Sequence, residues 1–467
     1  MSELLVPVVV GGIVGALYII SVGANDVANA LGTSVGSKAL SLKSACILGG
    51  IFELLGATLV GGKTANALAA KFLEETKFSS AQYSYGMMSA LFGSMMFTVA
   101  ATKYALPVSS THAVIGALVA IGIVEHGGSS VDWTEVGLTS LSWVLSPAAG
   151  LLFSFTIYKA ILKFVLDAPG GSLSRAALAA PFLNAGTFAT LVCFTMVAGP
   201  TALHPSSGWA TVGLTVLSFG ISFACFRFLV LPYMQRKGYL VRRGSLDGIE
   251  HQMLTAAPKD SFQVATEAPA QEQLKENAPL AEENGAPPPS DSVVKMKPAE
   301  QYFILPMVMT AACVAFGHGG NDVGNAIGPF SACLYVYENG SLKGIESHET
   351  PILVTFFGGL GIVVGLSAFG KRVIETVGEK ITRLTFSKGF AAQYGASVAV
   401  LICTSLGLPI STTSVLVGSI AGVGYADGGK GVDLKVLKRI VAGWLVTLPA
   451  SGIISAIIYG VCKLGGI

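Results

Sequence analysis

Apolar residues run through this chain in stretches close to the roughly 20 residues that a membrane-crossing helix needs, and short polar or Gly/Pro-rich segments separate them. Twelve such stretches predict helices at about 6–22, 44–61, 85–101, 112–125, 138–158, 186–199, 209–231, 302–316, 352–369, 391–408, 413–426 and 438–462. Several fall short of a full crossing and read as half-helices or re-entrant segments. Between the seventh and eighth, residues 232–301 are rich in Pro, Glu, Ala and Gln and include GAPPPS at 285–290. A segment of that composition cannot bury a core, so disorder is expected there.

Composition agrees with the pattern. Hydrophobic residues make up 52% of the chain and charged ones 12%, which places it among polytopic all-α membrane proteins. A formal net charge of +2 gives no reason to expect nucleic acid as a partner. The 57 glycines suit close helix contacts in lipid. The seven cysteines have no CxxC spacing and read as small core residues with no metal or disulfide role, and no cofactor is expected. The first apolar run has no basic flank and reads as a span, not a cleaved signal, and no transit peptide precedes it.

Two segments repeat. GANDVANALG at 23–32 matches GGNDVGNAIG at 319–328, and LPVSST at 106–111 matches LPISTT at 408–413. Gly49-Gly50 corresponds to Gly358-Gly359, Gly116 to Gly418, and Pro147-Ala148 to Pro449-Ala450, in the same order. The chain therefore divides into a first transmembrane repeat (1–165), linking spans (166–231), a loop (232–301) and a second repeat (302–467). An odd number of spans between the two starts turns the second repeat upside down, which predicts an inverted-repeat fold with its site near the midplane. Most loop lysines and arginines, among them Arg236, Lys237, Arg242 and Arg243, fall on the side of the long loop, while Lys63, Lys71, Lys77, Lys343 and Lys463 fall opposite. By the positive-inside rule both termini are outside and the central loop is cytoplasmic, in a plasma membrane.

The repeated motifs carry the chemistry. In LPVSSTH and LPISTTS a proline stops the incoming segment, and hydroxyls stand where a helix restarts. Ser and Thr cap helix N-termini, whose free N–H groups form an anion site. Asn25, Asp26 and Asn29, with Asn321, Asp322 and Asn325, supply carboxylate and amide oxygens, the hard ligands of alkali cations. Carboxylates at membrane depth are costly unless they hold something. No Lys or Arg lies inside any of the four motifs, so an anion at the hydroxyls would be repelled by the two aspartates unless cations came with it. This arithmetic points to cation-coupled anion transport. Glu53 sits inside a span, opposite Ile362 in the second repeat, and is assigned to ion coupling or a buried hydrogen bond. His112 is read as a packed helix residue and Lys103 as a snorkelling one.

GANDVANALGTSVG, LPVSSTHAVIG, HGGNDVGNAIGP and LPISTTSVLVG together resemble the signature blocks of the inorganic phosphate transporter family, the sodium- or proton-coupled phosphate symporters. The resemblance covers about residues 6–165 and 302–467. It implies inward symport of inorganic phosphate with sodium by alternating access. By position it makes Ser109, Ser110, Thr111, Ser411, Thr412 and Thr413 phosphate ligands, and Asn25, Asp26, Asn321 and Asp322 sodium ligands, with Glu53, Asn29 and Asn325 as further coupling residues. Family members commonly have His after the second hydroxyl cluster, where this chain has Ser414. The implied partners are phosphate, sodium as a co-substrate and the lipid bilayer, with a homodimer among the open oligomeric states. Proton coupling, a sulfate carrier and a phosphate-binding membrane sensor are the alternatives. An enzyme is not expected, because the hydroxyl clusters lack a base and its orienter.

Overall fold

The computed structural model describes residues 2–26, 28–169, 172–199, 203–240, 297–374, 384–405, 410–429 and 432–466. The expectation of disorder for the central loop thus falls mostly outside the described residues, as do Arg242, Arg243, Leu408 and Pro409. The regular structure is helical, apart from one isolated antiparallel bridge between Leu73 and Val131.

The first part holds α1 (Ser2–Asp26), α2 (Ala28–Gly36), α3 (Leu42–Ala70), α4 (Ser80–Lys103), α5 (Ser110–His126) and α6 (Trp133–Ile161). Next come α7 (Ser172–Ala198), α8 (Gly208–Cys225) and the short α9 (Leu231–Arg236). The last part holds α10 (Ile304–Asn339), α11 (Ile352–Phe369), α12 (Phe386–Ser405), α13 (Thr412–Ala426) and α14 (Leu434–Leu464). Polar N-caps start many of them. Ser41, Ser79, Ser109, Asp132, Ser207, Ser411 and Asp433 each accept a backbone N–H from the first turn. Among the described residues, eight helical stretches are long and apolar enough to cross a membrane, and Ser110–His126 and Thr412–Ala426 are shorter apolar helices.

Each of the twelve apolar runs overlaps a helix, but two helices extend well beyond their runs. The run ending at 316 belongs to α10, which continues unbroken through Asn321-Asp322 to Asn339, so the helix does not end where the apolar run does. The run beginning at 186 belongs to α7, which starts at Ser172. Its first turns are Ala-rich, and alanine is a strong helix former that adds little to a hydropathy signal.

Helix contacts in the two repeats are reciprocal. α1 packs on α11 as α3 packs on α10, α6 on α13 as α5 on α14, and α4 on α14 as α12 on α6. Glycines mark the crossing points. A Cβ on Gly23 would fall within 3.0 Å of the Ile362 carbonyl oxygen, and one on its counterpart Gly319 would meet the Glu53 carbonyl in the same way. Gly56 with Phe316 repeats as Gly365 with Ile20, and Gly116 with Leu448 repeats as Gly418 with Pro147. These contacts make Leu448 the equivalent of Pro147, and the N-caps Asp132 and Asp433 agree. The alignment of Pro147 with Pro449 is therefore one residue out of register.

α8 is different: it packs mainly on α7, with Phe182 and Phe223 in ring contact and Asn184 bonded to Ser222, and its outer face is exposed. This contrast gives a test. Gly319→Ala should push α10 off α3 and cost about 1–3 kcal/mol or the folded protein itself, as overpacking does. Gly213→Ala in α8, where a Cβ meets nothing within 4 Å, should leave the melting temperature in detergent unchanged or slightly raised.

Candidate functional site

The two hydroxyl clusters form helix starts as their sequence requires. Ser109 Oγ accepts the His112 N–H at 3.3 Å at the head of α5, and Ser411 Oγ accepts the Ser414 N–H at 3.2 Å at the head of α13. Each capping hydroxyl keeps its hydrogen for a further acceptor. Ser110, Thr412 and Thr413 are buried in the first turns that follow.

Asn25, fully buried near the end of α1, holds the non-helical segment ahead of α5. Its side-chain amide donates to Leu106 O at 2.9 Å and to Thr102 Oγ1 at 3.1 Å, while its oxygen accepts the Val108 N–H at 3.0 Å. The hydroxyl of Tyr18, one helical face back, donates to Ser110 O at 2.9 Å. The second repeat reaches the same point. Asn325 donates to Ser110 Oγ at 2.7 Å, and Thr413 Oγ1 lies 3.4 Å from both Asp26 Oδ1 and Val108 O. The four motifs therefore meet, each hydroxyl start touching the Asn-Asp segment of the opposite repeat. The side chain of Asn29 lies outside the described residues.

The two aspartates have different surroundings. Asp26 Oδ2 is buried with no hydrogen-bond partner among the described residues. Asp322 accepts from Asn321 Nδ2 at 2.8 Å and lies 2.9 Å from His318 Nε2. The other nitrogen of His318, Nδ1, lies 3.0 Å from Glu53 Oε2, so a fully buried imidazole bridges two carboxylates from α3 and α10. The sequence reading found Glu53 but missed His318. Its place four residues before Asp322, on the same helix face, was the available signal. The counterparts of His318 and Glu53 are Val22 and Ile362, so this chain of groups exists in one half only.

A cavity of about 970 Å³ reaches the motifs but is not lined by Asp26, Asp322, His318 or Glu53. Thr111, Ile115, Asn321, Asn325 and Ile410 line it at the motifs, and Lys63, Lys71, Glu74, Glu75, Asp132, Glu135 and Glu346 line it toward the helix ends. The Leu73–Val131 bridge, with Glu74 N–H on Ser130 O at 2.8 Å and Asp132 N–H on Phe72 O at 3.1 Å, fixes that rim. Partial burial, then the charge of Glu346, holds the Glu75 carboxyl above its ordinary range. A second cavity of about 30 Å³, room for about one water, touches Thr412, His318, Cys313 and Ser397 on the α7 side. Lys103 lies exposed at the end of α4 and lines neither cavity. His112 is buried against Trp143, 4.6 Å between ring centres.

An all-helical membrane protein in which two capped helix starts and two buried carboxylates meet, with a cavity reaching the motifs at Thr111, Asn321 and Asn325, has the build of a solute transporter. The comparisons with known proteins make the class specific: the chain belongs to the phosphate transporter family, whose model matches residues 22–455. It is 35% identical over 445 residues to the inorganic phosphate transporter 2-1, chloroplastic, of Arabidopsis thaliana, covering 94% of this chain and 69% of that one. Among solved structures it resembles one described as the sodium-dependent phosphate transporter, with a TM-score of 0.78 and 31% identity over 99% of this chain and 100% of that one.

The bridge at His318 can be tested through folding. His318→Leu leaves two buried carboxylates facing an apolar side chain and should cost about 3–5 kcal/mol, the range for a broken buried pair. His318→Gln, which can still donate to one carboxylate, should lose less. Thermal unfolding in detergent checks both, and an unchanged melting temperature in His318→Leu would mean the bridge adds nothing to stability.

Proposed function

We propose that this chain carries inorganic phosphate inward across a membrane with sodium, by alternating access between its two inverted repeats. The observation that carries the reading is the contact of each hydroxyl-capped helix start with the Asn-Asp segment of the opposite repeat, at a point with no lysine or arginine among the motifs. The amides and hydroxyls at Ser109, Ser110, Thr111, Ser411, Thr412 and Thr413 donate to the phosphate oxygens. Asn25, Asp26, Asn321 and Asp322, with Asn29 and Asn325 beside them, give oxygens to sodium. Bound sodium offsets the carboxylate charge that would otherwise expel phosphate, so neither ligand binds well alone. The named specificities of the Arabidopsis relative and of the solved structure support phosphate, and the latter supports sodium.

In this reading the 970 Å³ cavity is the open access route on the extracellular side, with both termini on that side and residues 232–301 in the cytoplasm. The basic residues of the loops support the orientation. A plasma membrane is the proposed location, and the Arabidopsis relative, named chloroplastic, supplies the alternative compartment. Proton coupling is a second reading favoured by one observation, the His318 imidazole between Glu53 and Asp322, which can hold a proton where a cation would otherwise bind.

Uptake of labelled phosphate into proteoliposomes under imposed gradients decides between them. A sodium gradient should drive uptake at equal pH, while a proton gradient without sodium should not. Asp26→Asn keeps shape and removes charge, and should lower sodium-driven uptake at least about tenfold with the protein still folded; near-normal uptake would sink the assignment of Asp26 to sodium. Thr111→Ala and Thr413→Ala should each weaken phosphate binding about three- to tenfold, as loss of one donor to a charged ligand does. Equilibrium binding at saturating sodium is the measurement, and unchanged affinity in both variants would return these hydroxyls to helix capping alone.

A further inference from the structure

The far ends of the two hydroxyl-tipped helices share a second device. α5 and α13 are only 17 and 15 residues long, and a carboxylate stands at the C-terminal end of each, Glu125 in the last turn of α5 and Asp427 as the C-cap of α13. A negative charge there opposes the helix dipole, so helix stability alone would not select it. Both carboxylates are met by the same kinds of group. The Tyr459 hydroxyl, from α14 of the other repeat, donates to Glu125 Oε2 at 3.0 Å, and Lys463 Nζ lies 3.0 Å from the same oxygen. The Tyr158 hydroxyl, from α6 of the other repeat, lies 3.5 Å from Asp427 Oδ1, and Lys388 Nζ lies 2.6 Å from Oδ2. Gln82 adds a further donor to Glu125.

Tyr158 and Tyr459 are equivalent by the same one-residue register that relates Pro147 to Leu448. Both rings are buried, at 3% and 0% exposure, so each hydroxyl is fixed in depth by its own helix. α5 touches α14 along its length: Ser451 Oγ donates to Ala113 O at 2.8 Å, the backbones meet at Gly116 and Leu448, and Glu125 meets Tyr459 at the tail. α13 touches α6 likewise along its length: at Gly418 with Pro147, through Ser154 Oγ donating to Ser419 O at 2.8 Å, and at Asp427 with Tyr158. The contacts nearer each tip hold the helix against its neighbour, and the tyrosine–carboxylate contact ties down its far end.

We propose that Tyr459 with Glu125, and Tyr158 with Asp427, are positioning residues that set how far each hydroxyl-bearing helix start reaches into the site. The clamp lies on the order of 20 Å from Ser110 along α5, at 1.5 Å per residue, so it acts only through the helix. The effect on phosphate rests on the reading of these tips as phosphate ligands; the effect on the helix does not.

The experiment therefore has two readouts on the full-length protein in detergent or nanodiscs. Hydrogen exchange of the first turn of α5, residues 110–114, without phosphate, should be faster by about threefold or more in Tyr459→Phe than in the wild type. Equilibrium binding of inorganic phosphate at saturating sodium should show Kd raised about three- to tenfold. Tyr459→Phe keeps the buried ring, and its melting temperature should stay close to that of the wild type. Glu125→Gln keeps an acceptor for the tyrosine and should stay near wild type in both readouts. Glu125→Leu should match Tyr459→Phe, and the two together should be no worse than one. Tyr158→Phe should do the same to the first turn of α13, by less, because its bond is longer. Unchanged exchange at both helix starts overturns the proposal. Faster exchange with unchanged phosphate affinity keeps the positioning role and refutes the phosphate reading of the tips.

Discussion

A chain that stops being helical inside a bilayer must give every freed peptide group a new partner, because no water is there to do so and each orphan costs several kcal/mol. Asn25 meets this requirement for the segment between α4 and α5. One side-chain amide satisfies a carbonyl at Leu106 and an N–H at Val108, and so makes the abrupt restart of the helix at Ser110 affordable. The amide, not the neighbouring charge, is what allows the hydroxyl tip to exist at depth. Tyr18 and Asn325 then tie Ser110 itself to α1 and α10. The site is built where the backbone most needs support.

On a reciprocal scaffold, the chemistry is not symmetric. Glycine contacts repeat between the halves, whereas the Glu53, His318 and Asp322 chain faces Ile362 and Val22 at the equivalent positions. The two aspartates are therefore unequal. Asp26 keeps an oxygen with no hydrogen-bond partner among the described residues, whereas Asp322 is met by an imidazole and an amide. The partners of Asp322 also account for the unbroken α10. With His318 one turn back on the same helix, the carboxylate is held without unwinding the backbone to supply carbonyls.

Much of this was legible in the sequence because it rests on local rules. Apolar runs located the helices, hydroxyls after a proline located the start of α5, and repetition identified which polar residues belong together. What escaped depended on three-dimensional register. The extent of α10 was missed because the polar motif inside it lowers hydropathy without ending the helix, and His318 was missed because it has no counterpart in the first repeat to draw attention to it. The one-residue shift between Pro147 and Pro449 was hidden by the proline match itself, which aligned chemical identity while the backbone contacts aligned Pro147 with Leu448. Contacts between Ser110 and Asn325, or Thr413 and Asp26, join residues more than 200 positions apart, and no periodicity reports them.

The choice of hydroxyls and amides over arginine at the helix starts follows from what a carrier must do. A guanidinium would bind an oxyanion bidentately and strongly whether or not anything else were bound. A carrier needs occupancy that ends, since binding must be favourable enough to load and weak enough to release. Neutral donors give geometry with modest affinity, and in the proposed function the buried carboxylates beside them make that affinity conditional on a cation. The lysines that line the cavity, Lys63 and Lys71, stand outside the motifs among five carboxylates, so that end of the cavity carries more negative than positive charge. With more carboxylates than lysines along the cavity and no lysine or arginine in the motifs, nothing fixed on this route offers an anion a net positive charge.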